Sequence, residues 1–185
     1  MQDQQTFMNV VQKSLELFNK AGIVLTPSEI ENLEVGDFGL NNLAVIGLEI
    51  ITYINTQRVC AKELALLPGQ TCPEHKQPSF PGRPGKEETF RCRWGEVFLY
   101  VPGSPAEYPR AALPAEYLEH INHWHEIVLR PGEQYTLFPD TPHWFQGGLE
   151  GAVISEFSTH SEDASDIFSD PRIIRTPLIK SSNPL

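Results

Sequence analysis

The chain has 185 residues, enough for one well-buried core and short for two. Hydrophobic residues make up 40% and charged residues 21%, the balance of an ordinary globular chain. A net charge of −10 leaves no basic stripe to neutralise phosphates or anionic lipid headgroups, which sets aside nucleic-acid and membrane-surface partners. The start, Met1 to Gln5, is polar and lacks the basic and apolar stretches of a signal peptide. No apolar run approaches the ~18 residues that span a bilayer. Cys60, Cys72 and Cys92 form no zinc-like pair, and an odd set favours reduced thiols. The expected location is the cytoplasm.

In chain order, Phe7, Val11, Leu15 and Phe18 recur at helical steps and predict an amphipathic helix stopped at Gly22. Thr26-Pro27-Ser28-Glu29 reads as a capping box opening a short second helix. From Leu43 the period changes. Val45 to Ile54 is rich in β-branched residues, and further strands are predicted over 62–67, 87–93, 96–101, 124–129, 134–138, 144–146 and 152–158. Trp94-Gly95 and Arg130 to Glu133 are predicted to turn two hairpins.

Short strands between Pro/Gly turns predict a double-sheet jelly-roll barrel. One domain is expected over 1–185: an N-terminal helical segment at 1–36, a barrel core at 43–160 and a polar tail at 161–185. Leu67-Pro68-Gly69 leading to His75 is faintly echoed by Arg130-Pro131-Gly132 leading to His143.

Alternation along a strand places residues two apart on one face, so His75 pairs with Gln77, and Lys86 with Glu88 and Phe90. A barrel that turns these faces inward brings His75, Glu88 and His143 together. Two imidazoles and a carboxylate suit a catalytic divalent ion. A lone histidine in a strand is more often just hydrogen-bonded, and His120, His123, His125 and His160 are read that way. Cys72 reads as a small buried residue rather than a soft ligand.

Cys72-Pro73-Glu74-His75, the run Gly85 to Gly95, Pro139-x-Thr141-x-His143-Trp144-Phe145-Gln146 and Asp166-Ile167-Phe168-x-Asp170-Pro171-Arg172-Ile173 resemble the bacterial D-lyxose isomerase family of cupins. Ala21 to Thr26 and Leu67 to Thr71 belong to the same resemblance, which spans about residues 20 to 175. It implies an all-β, cupin-type double-stranded β-helix with an N-terminal helical segment, and a homodimer. It also implies a manganese-type ion held at positions that map to His75, Gln77, Glu88 and His143. Gln77 stands where the family pattern has histidine, and an amide oxygen is a weaker, harder donor than imidazole.

The implied reaction interconverts D-lyxose with D-xylulose, and D-mannose with D-fructose, by proton transfer through an enediol. Lys86 and Glu156 are the catalytic candidates. Lys86 is expected to lose its charge beside a cation. Glu156 interrupts an apolar strand, where an inward carboxylate is costly without a use. Asp166 is a candidate for binding sugar hydroxyls and Phe90 for the apolar wall, whereas Trp144 should face away from His143. A sugar-binding or regulatory cupin with a lapsed site, and a cupin oxygenase, are the alternative readings.

Overall fold

The helical and strand periods of the sequence become three short helices and one curled β-sheet in the computed structural model, which describes residues 4–175. α1 (Gln4–Lys20) buries Val10, Ser14, Leu17 and Phe18. Its stripe is rotated about one residue from the expected one, because Ser14 can enter the core by donating its hydroxyl to the Val10 carbonyl, 2.7 Å away. α2 (Pro27–Glu31) starts at the capping box, with Thr26 and Glu29 exchanging bonds. α3 (Ala115–Leu118) is a single turn. Among the described residues no helix is long and apolar enough to cross a membrane.

Nine strands follow the chain: β1 (Glu34–Gly36), β2 (Leu48–Asn55), β3 (Cys60–Leu66), β4 (Thr71–Lys76), β5 (Glu88–Val101), β6 (His125–Leu129), β7 (Gln134–Leu137), β8 (His143–Ser158) and β9 (Ile167–Phe168). The pairs between them are antiparallel, and one path through the sheet runs β1-β2-β3-β8-β4-β9. β5 lies along β8 from Glu88↔Ser158 to Tyr100↔Trp144, with irregularities at Cys92/Trp94 and Gly95/Val97. At that level both strands change their other neighbour. β8 leaves β4 for β3, and β5 leaves β7 for β6. This exchange curls the sheet into a half-barrel.

The expected hairpin at Trp94-Gly95 is therefore wrong. β5 continues through it, and Gly95 takes φ +69° where an added Cβ would lie 2.0 Å from the Gly151 carbonyl oxygen. A glycine that reads as a turn serves here as a bulge. Nor do the strands flanking Arg130 to Glu133 form a hairpin, since β6 and β7 each pair with β5. The segments predicted at 144–146 and 152–158 are likewise one strand.

α1 covers the outer face of β2, β3 and β8 through Leu17, Phe18, Ile51, Ala65 and Val153. The inner face carries Leu64, Leu66, Phe90, Leu99, Phe145 and Ile154. Trp144 points outward and stacks on Tyr100, ring centroids 4.1 Å apart, as alternation from His143 requires.

Candidate active site

One end of the inner face is polar. His75 is the penultimate residue of β4 and His143 the first of β8, and the two are direct cross-strand partners. Their ring centroids lie 4.4 Å apart. Each ring is oriented by the carbonyl two residues before it: His75 Nδ1 donates to Pro73 O at 2.8 Å and His143 Nδ1 to Thr141 O at 3.0 Å. That bond places the proton on Nδ1 and leaves the Nε2 lone pair free, the tautomer a metal-binding histidine uses. Burial, reinforced by His143, pushes the His75 pKa down to about 3.

Glu88, the first residue of β5, brings Oε1 to 3.2 Å from His143 Nε2. Both groups are almost wholly buried, at 1% and 0% exposure, and neither atom has a hydrogen-bond partner. Two lone pairs thus face each other in the interior, an arrangement that a cation relieves. Gln77 is buried and lines the same pocket as His75 and Glu88, whereas the fully buried His143 is not part of that lining. Among the described residues no group of three or more His, Cys, Asp or Glu side chains is already spread around one centre as a metal would hold them. Gln77 falls outside that set of residue types, and Lys86 draws one oxygen of Glu88 aside. The donor chemistry of the four side chains fits a divalent ion.

Lys86 lies between two carboxylates, 2.6 Å from Glu88 Oε2 and 3.0 Å from Glu156 Oε1. Burial opposes its charge, yet Glu88 and Glu156 outweigh it and raise its pKa well above the ordinary value. The neutral amine expected from sequence is not what this surrounding favours. Burial likewise opposes the Glu88 anion, but the Lys86 charge holds its pKa low. Glu156 also accepts the Ser158 hydroxyl at 3.1 Å.

Lys62, Asp163 and Arg175 complete the wall, and sequence reasoning missed all three. Lys62 is the cross-strand partner of Glu156 and lies 3.0 Å from Asp163, which Arg175 also holds at 2.8 Å. Burial works against the Asp163 charge, but these two cations pull its pKa far down. A lysine two residues before inward-facing Leu64 was the available signal for Lys62. Asp166 lines the same pocket, and its carboxyl is pushed up to about 7 by burial and by the charge of Asp163.

Phe90, Phe145 and Phe168 supply apolar wall, with Phe168 stacked on His75 at 5.3 Å. Cys72 also lines the pocket, and burial pushes its thiol up, away from the thiolate a ligand needs. The other four histidines bond elsewhere: His123 to Glu74, His125 to Ser104, His160 to Asn55 and Thr56, and His120 beside Asp170.

No family model matches the chain. Over 165 residues it is 63% identical to the D-lyxose ketol-isomerase of Cohnella laeviribosi, covering 89% of this chain and 91% of that protein. It is 56% identical to the D-lyxose/D-mannose isomerase of Thermosediminibacter oceani, covering 92% and 94%. Among solved structures, the L-ribose isomerase of Acinetobacter sp. DL28 superposes with a TM-score of 0.78 at 15% identity, covering 93% and 94%. That of Cellulomonas parahominis gives 0.75 at 15% identity, covering 92% and 94%. At this identity the likeness establishes the fold they share.

Proposed function

Given that this chain belongs to the D-lyxose ketol-isomerase family, we propose that it interconverts D-lyxose and D-xylulose, and D-mannose and D-fructose, in the pocket around Glu88 and Glu156. The observation that carries this reading is the row His143–Glu88–Lys86–Glu156, linked at 3.2, 2.6 and 3.0 Å. It sets a candidate ligand cluster directly against a candidate proton carrier.

His75, Gln77, Glu88 and His143 would hold a divalent ion, for which manganese suits the mixture of nitrogen and oxygen donors. Such an ion supplies Lewis-acid polarisation of the neighbouring C1 and C2 oxygens of the open-chain sugar. Glu156 takes the proton from C2 of the aldose and returns it to C1 after the enediol forms. Ion pairing with Lys86 keeps Glu156 placed for that transfer, and the Lys86 ammonium donates to the oxygen on which charge grows. Asp166 holds a proton near neutrality, so it can give and recover the hydroxyl proton while binding the sugar. Phe90 faces the sugar's C–H groups and excludes water.

The chain is further read as a cytoplasmic homodimer. Exposed Ile54 and Phe157, joined in register through Ala61, give its outer sheet face an apolar strip that supports pairing.

Purified protein supplied with manganese and D-lyxose should form D-xylulose, with solvent deuterium entering at C1. Glu156→Gln should lower kcat by about 10²–10⁴-fold with little change in KM. Failure to form ketose with any of several divalent ions would reject the reading.

A further inference from the structure

Gln77 follows β4 and is 6% exposed. Its main chain is fixed from two sides: its carbonyl accepts Asp140 N–H at 3.0 Å, and Gly85 packs so closely that a Cβ there would lie 2.4 Å from the same oxygen. The side chain therefore has little freedom in where it goes, and it lines the pocket with His75 and Glu88. Its amide forms no hydrogen bond within the described residues and, unlike Glu88 Oε1 and His143 Nε2, it is not sealed away from the pocket. An amide that opens on the pocket is available to whatever enters it.

An amide offers an oxygen to a cation or an N–H to a hydroxyl. The neighbours decide between them. The unpartnered atoms of the ligand cluster are acceptors, His143 Nε2 and Glu88 Oε1, and His75, which lines the pocket with Gln77, adds an Nε2 lone pair. Lys86 satisfies only Glu88 Oε2, so the acceptors left unbonded call for a further positive centre, and the amide oxygen is the atom that joins it.

Resting on the metal reading above, we propose that Gln77 sets the ion preference of this site. Its oxygen makes the donor set two nitrogens and two oxygens. Imidazole favours the later transition ions, whereas a carbonyl oxygen suits manganese and magnesium. Exchanging one for the other narrows the lead that nickel and zinc hold over manganese at a nitrogen-rich site.

The test is calorimetric titration of the full chain, stripped of metal, with manganese, nickel and zinc separately. Wild type is compared with Gln77→His and Gln77→Leu, and apo melting temperature with circular dichroism confirms that each variant is folded. Gln77→His should tighten nickel and zinc on the order of tenfold to a hundredfold more than manganese, the scale on which changes around a ligand shell move affinity. Gln77→Leu should weaken manganese about tenfold, one step of the affinity scale. If manganese binds the wild type and the leucine variant equally, or if histidine shifts all three ions alike, Gln77 is no ligand and the inference is overturned while the metal site stands. If no folded form binds any of the ions, the metal reading falls and the inference with it.

Discussion

Glu88 Oε1 and His143 Nε2 stand 3.2 Å apart with an acceptor on each side and no hydrogen bond for either. The Nδ1 proton that His143 gives to Thr141 fixes this polarity. A contact that repels in isolation becomes favourable when a cation enters, so ion binding and fold stability are linked.

Manganese at about 100 times its dissociation constant should stabilise the wild type by about 2.7 kcal/mol. Glu88→Gln keeps the shape and loses the charge, and its melting temperature should stay flat across the same titration. A chelator should reverse the wild-type gain and stop turnover. An equal manganese response in the variant would remove Glu88 from the ligand set.

Asp166 keeps its proton to about pH 7, because burial and the Asp163 charge disfavour the anion. If that proton serves the sugar hydroxyl, kcat/KM falls as pH rises through about 7. Asp166→Asn should be slower and should lack this limb. A variant profile with the limb intact would assign the titration to another group.

Glu49 is completely buried beneath α1, with one oxygen accepting from Gln70 at 2.9 Å and the other without a partner. Burial raises its pKa from 4.5 to about 8. Below 4.5 the group is protonated in both the folded and unfolded chain and adds no pH dependence. Between 4.5 and about 8 the unfolded chain releases the proton that the folded chain keeps. Stability therefore falls with rising pH, at most by about 1.4 kcal/mol per unit, and levels off above about 8. Urea unfolding should show Glu49→Gln gaining on the wild type between pH 5.5 and 8.5. A constant difference would mean that Glu49 titrates normally.

Part of the site was legible because strand alternation is local: Glu88 with Phe90, and Trp144 turned away from His143, follow from a period of two, whereas Gln77 and Lys86 line the same pocket from just outside β4 and β5. The Trp94-Gly95 error has the same local origin. A positive φ is needed both in a tight turn and in a bulge, and only the nearness of Gly151 tells them apart. Lys62, Asp163 and Arg175 were illegible for the opposite reason. Lys62 and Asp163 are 101 residues apart, and each looks like a solvated charge until the other is placed beside it.

The sixteen residues of β8 carry a histidine at one extremity and Glu156 near the other. Drawn straight, those two would sit roughly 40 Å apart at the usual rise per residue, yet a chain of contacts through Glu88 and Lys86 ties them together. The proposed reaction vessel is thus a product of curling a ribbon at its glycines. Stiffening the crease at Gly151, or the facing bulge at Gly95 of β5, would take the proposed vessel apart while every residue placed around it stayed in the sequence.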